Sequence, residues 1–190
     1  MSDSAIIIYD CWDKHWYGKQ VDLDNNCKKI NTLIEKVRLK GYTVIHHPSD
    51  CVGQKKTNFK FKSLPKTNYL LDNAEQPAPG VKWKVWSKQN PNIQIDKNDY
   101  ITESIDELLN ILKLHKIKKL YYVGYHINLC ILWARETSIG NLKQVTDIET
   151  FVVKDLSEAL LKNKKDLQFV YDICENDYST KLINSGDLWK

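Results

Sequence analysis

Apolar residues along the chain alternate between short continuous runs and segments with helical spacing. Five runs rich in β-branched or aromatic residues have the length expected of buried strands, and they cover residues 5–9, 43–47, 81–86, 120–124 and 148–153. Apolar positions with helical spacing fill residues 26–40, and Gly41 follows as the residue that ends the helix. The pattern predicts an α/β fold, because strands that alternate with helices form a parallel sheet.

Other segments complete the predicted secondary structure. A capping-box pattern beginning at Ser104 predicts the start of another helix, and a further helix should begin near Asn128. Residues 157–163 are predicted as helix, and residues 167–173 as either strand or helix. Residues 48–80 are rich in proline and show no clear period, which predicts a long loop or lid.

These elements predict a single domain over residues 1–190 with a three-layer α/β/α sandwich architecture. Its sheet should be doubly wound, mostly parallel and made of five or six strands. In such sheets the chemistry collects at the carboxyl ends of the strands, above all where the strand order reverses. If the order is 3-2-1-4-5-6 or similar, the first and fourth of these strands are neighbours at that point.

Composition narrows the class of partner. The net charge is +4, and only two of the 28 basic residues are arginines, so the lysines are expected to form a solvated surface. We therefore expect no nucleic-acid partner. No apolar run approaches the roughly 20 residues that a membrane span needs, and no secretory leader precedes the first strand, so a cytoplasmic location without membrane contact is expected.

The cysteines do not indicate a disulfide framework or a zinc site. Their number is odd, and no two have a CxxC spacing; they are Cys11, Cys27, Cys51, Cys130 and Cys174. The usual role of such a cysteine is that of a small buried apolar residue. Cys130 differs from the others because it follows a predicted strand and stands near the start of a helix, where a thiolate is favoured.

Three predicted strand ends carry residues that could act together. Asp10 follows the first strand, Lys88 follows the third, and Cys130 follows the fourth. A thiol nucleophile, a carboxylate base and a cation form the general arrangement for covalent attack on a carbonyl group. Backbone N–H groups in the turn at 126–130 could stabilise the resulting oxyanion. The sequence also leaves Lys84 open as the site lysine, since it shares a strand face with Lys88.

Aromatic and polar residues near the same edge could form the wall of a substrate pocket. Trp12, His15, Trp16 and Trp86 lie close to the predicted strand ends, and Tyr125 and Asn128 belong to the turn before Cys130. An apolar, planar pocket wall is one interpretation. Aromatic packing beneath the long loop, or a contact between subunits, is the other.

The segment Val123–Cys130 resembles the V-G-x-x-T-[ND]-x-C turn of the isochorismatase-like cysteine hydrolases, a superfamily that includes nicotinamidases and N-carbamoylsarcosine amidohydrolase. The resemblance covers about residues 4–160. It implies an Asp10–Lys88–Cys130 triad and a cis peptide between Tyr125 and His126. It also implies that the N–H groups of His126 and Cys130 bind the oxyanion. Dimers or tetramers of identical chains are common in such proteins and are implied here.

Two departures from that pattern bear on the substrate. The usual threonine of the turn is Ile127 here, and His46-His47-Pro48-Ser49-Asp50 lacks the Asp-x-His spacing by which nicotinamidases hold a metal. Adjacent histidines on a strand point to opposite faces, so two histidines and Asp50 are poorly arranged as zinc ligands. We therefore expect no metal and no cofactor.

The resemblance implies a hydrolase that cleaves a C–N bond in a small amide, imide or carbamoyl compound. Two alternatives remain open at this point. The chain could be a non-catalytic descendant that binds a ligand or a protein, or it could hydrolyse a vinyl ether with Asp10 as proton donor and without the thiol. A nucleotide-binding protein is least favoured, because no G-x-G-x-x-G or Walker A sequence is present.

Overall fold

The computed structural model describes residues 2–51, 59–62 and 66–189. Its strands are β1 (Ser4–Tyr9), β2 (Thr43–His47), β3 (Tyr100–Ile101), β4 (Lys119–Tyr125), β5 (Glu149–Glu158) and β6 (Lys181–Ile183). Its α-helices are α1 (Gln20–Leu39), α2 (Thr67–Asp72), α3 (Ile105–Leu114), α4 (Ile139–Leu142) and α5 (Leu167–Asp172). Two π-helices cover Ile127–Ala134 and Ile173–Asp177, and 3₁₀ turns cover Lys164–Asp166 and Ser185–Trp189.

The six strands form one sheet in the order β3-β2-β1-β4-β5-β6. Every neighbouring pair is parallel. The order reverses between β1 and β4, which is where a doubly wound sheet opens a crevice at its carboxyl edge. The predicted α/β sandwich with a doubly wound parallel sheet is confirmed.

Each face of the sheet has its own hydrophobic core. Along β1, Ile6 and Ile8 pack with the buried side of α1, whereas Ile7 and Tyr9 pack with α3 on the opposite face. This alternation follows from the period of two along a strand. All six residues of β1 are buried, as expected of a strand covered on both faces.

The pairing of β1 with β4 depends on Gly124. Its φ is +113°, a conformation that side chains rarely adopt, and a Cβ at this position would lie 2.1 Å from the carbonyl oxygen of Tyr9. The two backbones therefore approach as closely as they do only because residue 124 has no side chain. This contact sets the distance between the ends of β1 and β4. Asp10 follows the end of β1, and the helix with Cys130 follows the end of β4.

The predicted strand at 81–86 is wrong. The place beside β2 is taken by Tyr100–Ile101, which pairs with Ile45 and His46. Val81, Trp83 and Val85 are exposed, so their alternation does not bury a sheet face. The segment instead leads to Gln89, which forms an isolated antiparallel bridge with Trp12.

Other boundaries shift by a few residues or change type. Helix α1 begins six residues earlier than the predicted 26–40, and Gly41 ends it at φ +74° as expected. The predicted helix at 157–163 is wrong, since β5 runs through Glu158 with a shift of register against β4. Residues 167–173 are helical.

Two predicted features have mixed outcomes. Ser104 accepts a hydrogen bond from the N–H of Glu107, which confirms the helix start, while the Glu107 carboxylate accepts one from Thr102. The predicted loop at 48–80 contains helix α2, and its residues 52–58 and 63–65 lie outside the described part of the chain.

Among the described helices, none has the length and hydrophobicity that a membrane-spanning segment needs.

We expect Gly124→Ala to lower the free energy of unfolding by about 3 kcal/mol or more, because the new methyl group meets rigid backbone of β1 in a strained conformation. Urea unfolding measures the change. Gly80→Ala is the matched control: it also has positive φ but nothing within 4 Å of the added Cβ, and it should cost only about 1–2 kcal/mol. Equal effects of the two substitutions would contradict the close approach.

Candidate active site

Asp10 occupies the crevice at the reversal point of the sheet. It follows β1 directly, its φ is +47°, and its side chain is buried. The main-chain N–H of Ser49, beyond the end of β2, donates a hydrogen bond of 3.0 Å to Asp10 Oδ1. A carboxylate is thus held below the surface between the ends of β1 and β2.

Cys130 lies against this carboxylate. It belongs to the π-helix Ile127–Ala134, which begins immediately after β4, and the residue is half-buried. Burial raises the pKa of the Cys130 thiol, the negative charge of Asp10 raises it further, and Arg135 opposes both effects. The thiol is therefore held in its neutral form beside an ionisable carboxylate.

The Asp10 carboxyl is poised to exchange a proton near neutral pH. Burial raises its pKa to about 6, while Arg135 and hydrogen bonds from Cys130 and Ser49 limit the rise. A group whose pKa lies near the working pH is suited to general acid–base chemistry. Perturbation by burial together with a specific cation is a common feature of functional carboxylates.

Arg135 is the cation of the site, and sequence reasoning missed it. Its Nε lies 3.8 Å from Asp10 Oδ2, and its Nη2 lies 3.1 Å from Asp50 Oδ2. The side chain is 20% exposed, so most of it is withdrawn from water. The one signal in the sequence was its rarity, since this chain has only two arginines and this one closes the helix that carries Cys130.

The structure does not bring Lys88 into this cluster. Lys88 is exposed, and its main-chain N–H lies 3.3 Å from Asp13 Oδ1. It forms no ion pair with Asp10 among the described residues. Lys84, the other candidate lysine, is exposed too and donates to the carbonyl oxygen of Asp50. The prediction of a site lysine depended on a third strand at 81–86, and with no strand there, neither lysine is directed into the crevice.

Two buried polar atoms at the centre of the site have no hydrogen-bond partner among the described residues. They are Asp10 Oδ2 and Arg135 Nε. At 3.8 Å they are too far apart to satisfy each other. A buried acceptor and a buried donor left side by side carry a desolvation cost, and such pairs are typical of places where a ligand completes the bonding.

The two histidines of β2 point to opposite faces, as expected. His46 is bonded through Nε2 to Asp99 and through Nδ1 to Gln89. His47 is bonded through Nδ1 to Ser49 and through Nε2 to Thr137. Both rings are fully buried and both nitrogens of each are occupied. Within the described residues, no group of three or more His, Cys, Asp or Glu side chains is arranged to hold a metal ion.

The aromatic cluster is a packed wall. Trp12 and Trp86 stack face to face with ring centroids 3.5 Å apart, and both are buried. Each indole N–H donates to the same acceptor, the carbonyl oxygen of Ser49. His15 stacks on the outer side of Trp12, and burial lowers its pKa to about 4. Two of the predicted pocket residues thus serve to fix the segment that holds Asp10.

Three other predicted pocket residues have separate environments. Asn128 is fully buried, and its amide exchanges two hydrogen bonds with the backbone of Leu160, so it anchors the turn and does not face a pocket. The Tyr125 hydroxyl accepts a hydrogen bond from Asn26. Trp16 packs edge-to-face against Trp83, and its indole nitrogen is buried without a partner among the described residues.

The predicted cis peptide between Tyr125 and His126 is present. His126 then caps the π-helix, and its carbonyl oxygen accepts hydrogen bonds from the N–H groups of Leu129 and Ile131. Burial lowers the pKa of the His126 ring well below its usual range, so the ring is neutral. It meets the ring of His15 edge-to-face at 4.9 Å.

A cavity of about 500 Å³ opens beside this turn. His15, Tyr125 and His126 form one side of it, and the end of β5 with Ser157 and Glu158 forms another. The volume is that of a small-molecule site. The cavity shares His126 with the turn that leads to Cys130, while Asp10, Cys130 and Arg135 are not among its lining residues.

Comparison with known proteins identifies the fold. No protein-family model matches the sequence, and no curated protein matches it. Among solved structures, the chain is similar to N-carbamoylsarcosine amidase from Thermoplasma acidophilum, with 15% identity, a TM-score of 0.59 and 96% of each chain covered. It is also similar to an isochorismatase-like hydrolase from Alkaliphilus metalliredigens, with 14% identity, a TM-score of 0.62 and full coverage of both chains.

A third similar structure is a cysteine hydrolase from Pseudomonas syringae pv. phaseolicola 1448A, with 14% identity and a TM-score of 0.61. That match covers 98% of this chain and 90% of the other. All three matches extend over nearly the whole sheet and its helices. The chain therefore has the fold of the isochorismatase-like hydrolases.

Proposed function

We propose that the protein is a cysteine hydrolase of the isochorismatase-like superfamily that cleaves a C–N bond in a small amide, imide or carbamoyl compound. The supporting observation is the cluster of a thiol, a carboxylate and a guanidinium at Cys130, Asp10 and Arg135, in the crevice where the sheet order reverses. Cys130 is the nucleophile, Asp10 the base, and Arg135 supplies the positive charge that was first assigned to Lys88.

The first half of the reaction forms a thioester. Cys130 Sγ attacks the carbonyl carbon while its proton passes to the Asp10 carboxylate, which gives a tetrahedral oxyanion and a neutral Asp10. The oxyanion then collapses, the C–N bond breaks, and Asp10 gives the proton to the departing nitrogen. Ammonia or an amine leaves, and the acyl group remains on Cys130.

The second half releases the acid. A water molecule attacks the thioester carbon and transfers a proton to the Asp10 carboxylate. The tetrahedral intermediate expels the thiolate, which regains its proton from Asp10. Arg135 keeps a positive charge beside both groups throughout, so negative charge can move between sulfur and carboxylate within a buried site.

The oxyanion needs donors placed where its charge develops. We assign this role to the N–H groups of His126 and Cys130, which belong to the start of the helix after β4. The unpartnered Arg135 Nε and Asp10 Oδ2 supply a donor and an acceptor in addition. A primary amide offers a carbonyl acceptor and an N–H donor in the same arrangement, which supports an amide or carbamoyl substrate.

One observation favours a second function. Because burial raises the pKa of Asp10 to about 6, a fraction of this carboxyl is protonated near neutral pH and could donate to a carbon–carbon double bond. Hydrolysis of a vinyl ether by this route uses Asp10 and does not need the thiol. Retention of activity without Cys130 would distinguish this function from amide hydrolysis.

The first test is release of ammonia from a panel of small primary amides and N-carbamoyl compounds. We expect wild type to hydrolyse at least one of them, and Cys130→Ala to lose at least about 10³-fold in kcat/KM because the nucleophile is gone. Cys51→Ala is the matched control and should retain activity, since this half-buried cysteine lies outside the assigned machinery. Full activity of Cys130→Ala would exclude the thioester route.

The identity of the cation is tested by alkylation of Cys130 with iodoacetamide, followed by peptide mass spectrometry. Because Arg135 lowers the pKa of the thiol, Arg135→Gln should slow alkylation at pH 7 by roughly tenfold for each pH unit of increase in that pKa. Lys88→Gln should leave the rate unchanged. Slow alkylation in Lys88→Gln together with wild-type alkylation in Arg135→Gln would show that Lys88, not Arg135, is the cation of the site.

Removing the charge of Asp10 should have opposite effects on the alkylation of Cys130 and on hydrolysis. Its negative charge raises the pKa of Cys130, so Asp10→Asn should accelerate alkylation near neutral pH while abolishing hydrolysis. In wild type the base works only when ionised. We therefore expect kcat/KM to fall about tenfold per pH unit below a midpoint near pH 6. A rate that stays level down to pH 4.5 would contradict this role of Asp10.

A further inference from the structure

We infer that His47 is a positioning residue for the proposed reaction: it carries a buried chain of hydrogen bonds from Tyr9 and Thr137 to Ser49, and this chain holds the Asp10 base in place. The inference rests on the proposed function for its catalytic meaning. The chain itself is defined by contacts between side chains of β1, β2 and the turn after the Cys130 helix.

The chain can be followed from atom to atom. The hydroxyls of Tyr9 and Thr137 are hydrogen-bonded to each other. Thr137 Oγ1 lies 2.5 Å from His47 Nε2, and His47 Nδ1 lies 3.1 Å from Ser49 Oγ. Ser49 reaches the carboxylate through its main-chain N–H at 3.0 Å from Asp10 Oδ1, and its hydroxyl also stabilises the ionised form of Asp10.

The members of this hydrogen-bond chain are withdrawn from solvent. Tyr9, His47, Ser49 and Thr137 are fully buried, and Asp10 is 1% exposed. Bulk water therefore cannot replace any of the bonds, and each group depends on its neighbour for satisfaction. The His47 ring is also fixed in orientation, because it stacks on Tyr9 with centroids 4.4 Å apart.

One set of hydrogen-bond directions suits an ionised Asp10. In it the Ser49 hydroxyl turns its proton toward the carboxylate, which only accepts, and itself accepts from His47 Nδ1–H. Burial lowers the pKa of His47 to about 3, so its ring is neutral and has a single N–H. Its Nε2 is then an acceptor, Thr137 donates to it, and Tyr9 donates to Thr137. All donors thus point toward Asp10.

Two further contacts hold the chain in place. The carbonyl oxygen of Ser49 accepts the indole N–H groups of Trp12 and Trp86, so the serine cannot rotate away from Asp10. Thr137 stands two residues after Arg135, and the N–H of Ser138 donates to the Arg135 carbonyl within the same turn. One short turn therefore fixes both the cation and the far end of the chain.

The chain should lower the pKa of Asp10, and other groups near it must be kept constant in any test. Those that interact electrostatically with Asp10 are Tyr9, Cys11, Cys51, Cys130 and Arg135. Substitution of Ser49 removes no partner of these groups, whereas Thr137→Val also removes the partner of the Tyr9 hydroxyl, which belongs to the chain under test. A change in the titration of Asp10 in such variants then reports the hydrogen-bond chain.

The experiment measures the pH at which Asp10 is half protonated, by ¹³C-carboxyl NMR of the intact protein without substrate. We expect Ser49→Ala to move the midpoint from about pH 6 to about pH 7, because the side-chain contribution of Ser49 that lowers the pKa of Asp10 is lost while its main-chain N–H remains. Thr137→Val should move it upward by less, since it removes a more distant donor, and Thr137→Ser should restore the wild-type midpoint. Urea unfolding confirms that each variant is folded at the pH values used.

Thr150→Val is the matched control. Thr150 is fully buried and its hydroxyl is bonded to Thr180, away from the chain, so this variant should titrate like wild type. An unchanged midpoint in both Ser49→Ala and Thr137→Val would overturn the inference, as would an equal change in Thr150→Val.

The result is independent of the proposed function. If wild type hydrolyses no amide but the Asp10 midpoint shifts as expected, the chain is correct and the reaction is wrong. If wild type hydrolyses an amide and the midpoint does not move, the reaction stands and the chain has no influence on the base. If wild type hydrolyses an amide and the Asp10 midpoint also shifts in the variants, the pH below which kcat/KM falls should shift with the NMR midpoint.

Discussion

The site depends on the close approach of β1 and β4 at Gly124. A side chain there would occupy the space of the Tyr9 carbonyl, so the strands would separate at the edge where their ends carry chemistry. With glycine, Asp10 and the start of the Cys130 helix leave neighbouring strands within reach of each other. The reversal of strand order then opens the crevice at that same point. Fold and reactive cluster thus have one geometric origin.

Burial and charge oppose each other within the cluster. Burial raises the pKa of both Cys130 and Asp10, and the charge of Asp10 raises the pKa of Cys130 further, whereas the hydrogen bond from Cys130 lowers the pKa of Asp10. Arg135 lowers the pKa of both groups, and it is itself bonded to Asp50 at the rim. The balance leaves a neutral thiol beside a carboxylate with a pKa of about 6, which is the protonation state that attack assisted by a base requires. A fully exposed cluster would lose this coupling to solvent screening.

The sequence predicted what local pattern and topology determine. Buried strands at 5–9, 43–47 and 120–124, the glycine after α1 and the turn before Cys130 all depend on short-range features, and the structure has them. The cation was missed because its position depends on tertiary structure: residues 81–86 look like a strand but join no sheet, and Lys88 after them is exposed. No spacing rule indicates that Arg135, at the end of the helix that carries Cys130, lies close to Asp10.

Arg135, from the Cys130 helix, is the cation beside Asp10, where the sequence predicted a lysine from a strand. Cys130 and Arg135 belong to one continuous segment, and Thr137, at the end of the buried hydrogen-bond chain, follows two residues later. The tryptophan pair, for which the sequence allowed either a pocket wall or aromatic packing, donates to the carbonyl oxygen of Ser49. The turns after β2 and after the Cys130 helix therefore contact Asp10 and Arg135.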